Sequence, residues 1–303
     1  MHSMKNESLI TPASPSALKA WILAARPKTL IASISPVLIG ASLAPVFRFD
    51  LFCLCLAFSL FIQMGANFAN DYFDCLKGAD TSERIGPARA AQSGWISLPA
   101  FKRGLYAIFS LAALTSLPLL IRGGLWGIFI VALSILFAIW YTAGRRPLGY
   151  LGLGELLVFC FYGPIATLCT YYILTLHVSL LVFYASLSPG LLCCSILIAN
   201  NLRDEEQDRA AGKRTLIVRF GKTFGKFEYT GTVLLALSLP FFLGIALKPA
   251  FWWAFFSLLV LAFLGPIKRA FTAKNHRNLI PLLPATAGLL ALYTLIWSLC
   301  CQI

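Results

Sequence analysis

Residues 51–74 read LFCLCLAFSLFIQMGANFANDYFD. The stretch 51–70 carries no charge and has the length of a helix that crosses the hydrocarbon core of a bilayer. Asp71 and Asp74 follow at once, with Asn67 and Asn70 just before them. An apolar run of this length with an acidic end reads as a transmembrane helix that delivers carboxylates to one membrane face. Continued as a helix, Asn67, Asp71 and Asp74 fall at i, i+4 and i+7 and share one side.

The rest of the chain agrees. Of its 303 residues, 59% are hydrophobic and 12% charged, about half the charged share of an ordinary soluble domain. That polar surface is too small to cover a soluble fold, and the apolar content excludes a disordered chain. Further apolar runs lie at roughly 28–46, 104–122, 124–142, 151–174, 178–200, 229–247, 250–267 and 280–299. The expected fold class is therefore an all-α integral membrane protein, a nine-transmembrane-helix bundle with a central cavity and cytoplasmic cap loops. It forms one domain over 1–303, with a polar tail at 1–19. Arg122-Gly123-Gly124 is read as the turn between the third and fourth spans, and Lys248-Pro249 as that between the seventh and eighth.

Charge supports that parity. The chain has 25 basic and 12 acidic residues, a formal net charge of +13. With nine spans, every basic residue except Arg48, Arg122 and Lys248 falls on the side of the N-terminus. The positive-inside rule then puts the N-terminus in the cytoplasm and the C-terminus on the opposite side of the inner (plasma) membrane. The excess charge needs no nucleic-acid partner. Trp21, Trp126, Trp140, Trp252, Trp253 and Trp297 lie near span ends and are read as interfacial anchors. Eight of the nine cysteines lie within or at the end of apolar runs and behave as small hydrophobes.

A second acidic cluster follows the sixth run. Residues 200–208 read NNLRDEEQD, and Asn201, Asp204 and Asp208 again share a helix face. Asp71 and Asp204 are 133 positions apart, close to half the chain, as in a weak internal repeat. Carboxylates crowded on one face repel one another and are easiest to hold around a cation. All-oxygen ligands of the Asp and Asn type suit Mg²⁺ or Ca²⁺. Mg²⁺ is commonly shared between one or two carboxylates and substrate phosphates. The neighbouring Lys77, Arg84, Arg89, Arg209, Lys213 and Arg214 complete a set that grips a diphosphate. The segments 71–103 and 201–227 are expected as long Asp-rich cytoplasmic loops with short helices of their own.

Asn70-Asp71-Tyr-Phe-Asp74 with Lys77-Gly78-Ala-Asp80-Thr81-Ser-Glu83-Arg84-Ile-Gly86-Pro87-Ala-Arg89 resembles the first motif of the UbiA superfamily of intramembrane aromatic prenyltransferases. Asn200-Asn201-Leu-Arg203-Asp204 through Asp208-Arg209-Ala-Ala-Gly212-Lys213-Arg214-Thr215 resembles the second. Gly86-Pro87 through Gly94 and Tyr150–Glu155 resemble the branch that prenylates 1,4-dihydroxy-2-naphthoate in menaquinone biosynthesis. The chain departs from the superfamily pattern at Gly78, where a third Asp is often found, and at Arg145-Arg146-Pro147.

The resemblance implies a nine-helix bundle and a Mg²⁺-dependent transfer from polyprenyl diphosphate to 1,4-dihydroxy-2-naphthoate with loss of CO₂. By it, Asn67, Asp71 and Asp74 hold one metal and Asp204 and Asp208 the other. Lys77, Arg84, Arg89, Lys213 and Arg214 grip phosphate oxygens. An allylic cation needs a dry, aromatic-lined pocket, for which Tyr72, Tyr141, Tyr150 and Phe161 are candidates. Asn70, Asn201 and Glu155 are the remaining candidates for the pocket or the acceptor. Glu155 reads equally as a carboxylate favoured by a helix N-terminus and as an acceptor-orienting group. His177 and His276 are read as interfacial loop residues. The alternatives are another aromatic acceptor, such as 4-hydroxybenzoate or homogentisate, or a transporter with cation-binding acidic loops. Membrane lipids are the surrounding partner.

Overall fold

The computed structural model describes residues 15–79, 85–243 and 249–302. Asp80, Glu83, Arg84 and Lys248 lie outside them. The described residues are helices joined by short turns. Ser16 starts α1 (Ala17–Ala25), its hydroxyl accepting from the Lys19 amide at 3.4 Å. Arg26 ends it in the left-handed region at φ 54°. A single turn over Pro27–Thr29 leads into α2 (Ile31–Ser42), and the two stretches are bent by 52°. Then come α3 (Phe49–Leu76), α4 (Leu98–Trp140), α5 (Gly154–Thr175), α6 (Leu180–Ala210), α7 (Leu216–Phe242), α8 (Phe251–Thr272) and α9 (Leu282–Gln302).

Among the described residues, six helices are long and apolar enough to cross a membrane: α3, α4, α5, α6, α8 and the stretch His276–Cys301 that contains α9. The bent pair α1–α2 makes a seventh if taken as one span. This is fewer than the nine expected, for two physical reasons. The first half of α7 carries Arg219, Lys222, Lys226 and Glu228, which lower its hydropathy. The other reason is that α4 joins two expected spans into 43 residues, and they meet at Gly124.

Gly124 sits at φ 62° and ψ −149°, a conformation open essentially to glycine alone. A methyl placed on Gly127 would lie 3.5 Å from the Cα of Leu120. In a straight helix, residues seven apart are separated by about 10 Å. The chain therefore turns sharply at Gly124, as the sequence reading of Arg122–Gly124 anticipated. A second non-helical glycine, Gly221 at φ 89°, breaks α7 after its first turn.

The helices run further than the expected loops allowed. Helix α3 continues through Asp71 and Asp74 to Leu76, and α6 through Asp204 and Asp208 to Ala210. The stretch between α6 and α7 is reduced to 211–215. Between Lys77 and Ser97 the described residues form turns and no separate helix. Acidic side chains did not end these helices because most of them are neutralised in place, as the site below makes plain.

Helix α6 is the most enclosed span and α4 the least. Leu192, Ile198 and Leu202 of α6 pack with Val233 and Leu237 of α7 and with Leu290 and Tyr293 of α9. Helix α5 meets α6 through glycine on both sides, where a methyl on either Gly163 or Gly190 would lie about 3 Å from the other's backbone. Helix α5 also contains a π-type turn at Phe161–Ile165, and α8 another at Phe263–Ile267. Both read Phe-x-Gly-Pro-Ile. Each proline removes a backbone donor and widens the turn before it.

Hydroxyl pairs tie the spans together. Tyr229 meets Thr286 at 2.6 Å and Ser35 meets Thr294 at 2.5 Å. Such bonds in a membrane contribute about 0.6 kcal/mol each. Two tryptophans depart from the anchoring role. Trp21 packs inward, 5.3 Å from both Phe68 and Phe101, and Trp297 is buried beside Tyr293 and Phe255. Trp126 and Trp253 remain strongly exposed.

Candidate active site

Helices α2 to α6 surround a cavity of about 350 Å³, within the range of sites that bury small molecules. One end is polar, with Asn67, Asn70, Arg89, Asn200, Asn201, Asp204, Asp208 and Lys213 in its wall. The other end is apolar and reaches Leu119, Gly123 and Trp126. Along α4 beyond Gly124 the wall runs from Trp126 to Ala138, a rise of about 18 Å at helical pitch.

Regular helix geometry builds the polar end. From α3, Asn67 and Asn70 face the cavity, and Asp71 and Asp74 lie fully buried beside it. The Asn67 amide nitrogen donates to the Ala25 carbonyl at 2.9 Å, so the end of α1 fixes it. The Ala90 amide donates to Asp71 Oδ2 at 3.1 Å. That bond ties the segment after Ile85 to α3 and sets the buried Arg89 in the cavity wall.

Asp74 joins the two acidic clusters. Its Oδ1 accepts from the Tyr150 hydroxyl at 2.9 Å, and its Oδ2 accepts from Lys213 Nζ at 3.1 Å. Lys213 Nζ also lies 3.4 Å from Asp208 Oδ1. The Tyr150 ring has ammonium groups near it, Lys77 Nζ at 4.8 Å and Lys213 Nζ at 5.1 Å from its centroid. Lys77 donates to the Thr142 carbonyl, and burial lowers its pKa from the usual lysine value against the raising effect of Asp74.

Helix α6 supplies the opposite wall. Arg203 grips Asp204 with both arms, Nε to Oδ1 at 2.6 Å and Nη2 to Oδ2 at 2.7 Å, and reaches Asn200 Oδ1 at 2.5 Å. A methyl on Gly86 would meet Arg203 Nη2 at 2.9 Å, so the segment after α3 touches the second cluster directly. Asn201 Nδ2 donates to Glu155 Oε1 at 2.9 Å. His276 Nδ1 lies 2.8 Å from the Arg203 carbonyl. A carbonyl only accepts, so Nδ1 carries the proton, and Nε2 faces Glu206 Oε1 at 2.9 Å and Lys222 Nζ at 2.8 Å. His276 is thus a tether onto α6, which the loop reading missed.

The structure sorts the expected residues. Asn67, Asn70, Arg89, Tyr141, Tyr150, Phe161, Asn201, Asp204, Asp208 and Lys213 line the cavity. Asp71 and Asp74 stand immediately behind it. Glu155 reaches it only through Asn201. Tyr72 does not belong: it packs on Phe73 at 5.1 Å in the cluster around Phe68 and Phe101, because position 72 faces away from the Asn67–Asp71 side. Lys77 and Arg214 have exposed side chains outside the lining, although the Arg214 amide holds the Tyr150 carbonyl at 2.9 Å. Arg26, Thr29, Gln63 and Tyr162 also line the cavity and were not anticipated. The Tyr162 hydroxyl donates to Gln63 Oε1. Gln63 sits one helical turn before Asn67, and that spacing could have flagged it.

The ligand-type atoms of the two acidic motifs at the polar end are amide and carboxylate oxygens; the cysteines of the wall, Cys55, Cys169 and Cys193, belong to the apolar stretches of α3, α5 and α6. Buried Asn70 Oδ1 has no hydrogen-bond partner. An oxygen-only set with an unused acceptor fits a hard divalent cation.

Residues 33–283 match the UbiA prenyltransferase family. The chain is 35% identical over 286 residues to the 1,4-dihydroxy-2-naphthoate octaprenyltransferase of Mycobacterium tuberculosis, covering 92% of this chain and 94% of that one. It is 36% identical to the enzyme of the same name from Haemophilus influenzae, covering 93% and 95%. Among solved structures, a digeranylgeranylglyceryl phosphate synthase superimposes with a TM-score of 0.63 at 19% identity, covering 95% of this chain and 99% of that one. A UbiA homolog from Archaeoglobus fulgidus bound to GPP and Mg²⁺ gives 0.61 at 15% identity, covering 92% and 99%.

Proposed function

The chain belongs to the UbiA prenyltransferase family, and from that premise we propose that it transfers a polyprenyl group from polyprenyl diphosphate to 1,4-dihydroxy-2-naphthoate with loss of CO₂, giving demethylmenaquinol. One observation carries the reading. Asp74 and Asp208, from the two acidic motifs, converge on one ammonium at the polar mouth of an apolar cavity. A diphosphate head with a long isoprenoid tail has that same polarity.

Asn67, Asp71 and Asp74 would hold one Mg²⁺, and Asp204 and Asp208 a second. Bound there, the metal supplies charge stabilisation for the departing diphosphate. Arg89 and Lys213, both in the wall, bind phosphate oxygens and favour the charge that develops as the allylic carbon–oxygen bond breaks. Lys77 and Arg214 stand at the rim and act on the diphosphate from outside the cavity. Arg84 is assigned to the same role from its motif position. Tyr141, Tyr150 and Phe161 shield the allylic cation from water. Asn201 and Glu155 orient the acceptor beside Asn70.

We read the chain as nine spans. Turning α4 into two at Gly124, admitting α7 despite its charged start and counting α1–α2 once brings the helices to that number. Nine spans place the N-terminus and both acidic motifs in the cytoplasm and the C-terminus opposite, in the plasma (inner) membrane.

The test uses purified protein in lipid with Mg²⁺, radiolabelled polyprenyl diphosphate and 1,4-dihydroxy-2-naphthoate, with and without EDTA. The expected result is a prenylated lipid and CO₂, both lost with EDTA. Product with 4-hydroxybenzoate or homogentisate instead would replace the acceptor. No product with any aromatic acceptor from well-folded protein would sink the reading.

A further inference from the structure

Lys213 occupies the position that a cation between the two motifs needs. Its Nζ is 3.1 Å from Asp74 Oδ2 and 3.4 Å from Asp208 Oδ1. Asp74 is completely buried and Asp208 nearly so. Two carboxylates facing each other in such a medium require a positive charge between them. Resting on the functional reading above, we propose that Lys213 is an internal place-holder for the metal. Metal reaches Asp74 and Asp208, each in the site of its own motif, only when the diphosphate draws the Lys213 ammonium away to its own oxygens.

The local structure allows this exchange by side-chain rotation alone. The Lys213 amide donates to the Asp208 carbonyl at 2.8 Å, and Gly212, at φ 73°, turns the chain back after α6. The next amide, Arg214, is held by Tyr150. These bonds keep the backbone in place while the four-carbon stem swings. The Tyr150 ring, 5.1 Å from Nζ, gives the ammonium an apolar face along which to move. Lys77 is not equivalent, since its ammonium donates to a backbone carbonyl and makes no ion pair with Asp74 or Asp208 among the described residues.

The arrangement fixes an order. An ammonium and a divalent cation repel strongly at these distances, so they exclude each other from the Asp74–Asp208 pair. Metal alone binds weakly, and diphosphate creates the metal site by removing its competitor. The enzyme thereby avoids holding a tightly bound metal that lacks substrate.

The experiment titrates Mn²⁺, without diphosphate, into the full-length protein in lipid nanodiscs and follows free Mn²⁺ by electron paramagnetic resonance. Lys213→Gln should bind Mn²⁺ at least tenfold more tightly than the unaltered protein. Lys213→Arg should stay within threefold of it, and Lys77→Gln likewise. Lys213→Met, which keeps the apolar stem over Tyr150, repeats the test if the Gln variant does not run as a single species. Unchanged affinity in the folded Lys213 variants, or equal tightening in Lys77→Gln, overturns the proposal. Because this readout needs no turnover, it separates the two ideas. An enzyme that prenylates naphthoate but shows unchanged affinity refutes the place-holder alone. A tightened variant of a protein that prenylates nothing refutes the proposed function alone.

Discussion

The Tyr150 hydroxyl donates to Asp74 Oδ1 over 2.9 Å, so a residue 76 positions later in the chain orients the carboxylate of the first motif. Lys213 takes the other oxygen. Tyr150→Phe removes the first bond and keeps the ring between the two lysines. We expect kcat for prenyl transfer to fall about tenfold, the equivalent of one hydrogen bond to a charged group at roughly 1.5 kcal/mol. The KM for the naphthoate should stay within twofold. A larger rise in that KM than fall in kcat would place Tyr150 on the acceptor instead.

The two motifs should respond differently to loss of charge. Asp71→Asn keeps an acceptor for the Ala90 amide, and we expect turnover to drop about 100-fold or more with little change in thermal stability. Asp204→Asn strips the buried Arg203 of its counter-charge. It should lose activity and also about 3 kcal/mol of stability, as breaking a buried pair does. Thermal unfolding in detergent, beside the rate assay, separates the two. Near-normal turnover in both variants would end the two-metal assignment.

Glu155 reaches the cavity through Asn201, and its Oε2 is buried without a partner. Glu155→Gln preserves an acceptor for Asn201. The expected outcome is a several-fold higher KM for the naphthoate with an unchanged KM for the diphosphate. A change confined to the diphosphate would reassign the carboxylate to the leaving-group side.

Lys77 provides a pH test. Burial lowers its pKa below the usual lysine value, so as pH rises it loses its proton before a free lysine would. If its charge steadies the diphosphate, the rate falls along an alkaline limb that begins below about pH 10, the free lysine value being near 10.4. Lys77→Arg, which stays charged throughout, should move that limb to higher pH. An identical alkaline limb in the variant would show that Lys77 does not set it.

Gly124 should resist every substitution. Alanine there must adopt a backbone region that side chains avoid, at a cost of about 1–3 kcal/mol. Gly124→Ala is expected to lower thermal stability, whereas Gly231→Ala, which meets open space within ordinary helix, should not. Equal stability of the two variants would argue against a fold-back at Gly124.

Much of this is legible in the amino-acid sequence. The Asn and Asp spacings at 67–74 and 201–208 are helical, and helix geometry did place Asn67, Asn201, Asp204 and Asp208 on the cavity side. The same periodicity turns Tyr72 away from that side; its aromatic chemistry alone makes it a pocket candidate, and it packs on Phe73 instead. Partnerships across the chain could not be read from local pattern. The hold of Arg203 on Asp204 joins adjacent residues whose ionic pairing depends on burial. The bridging of Asp74 and Asp208 by Lys213, and the tether from His276 to Arg203, depend on how α3, α6 and α9 meet. The loops are shorter than expected for a related reason. Acidic residues after an apolar run suggest a helix end, but carboxylates paired with Arg203, Arg209 and Lys213 let the helix continue.

Arg122 bears on how the chain is inserted. It donates to the Ile173 and Leu174 carbonyls at the far end of α5, where a helix leaves its last acceptors open. Its charge is therefore already matched by the negative end of that helix in the finished protein. On the proposed nine-span topology Arg122 would have to cross the bilayer before α5 is in place, as an unmatched cation that acquires its counterpart only once the later spans arrive. Replacing it with leucine should then ease insertion of α4 while leaving the end of α5 loose, so efficient insertion and a firmly closed distal seam would pull this one position in opposite directions.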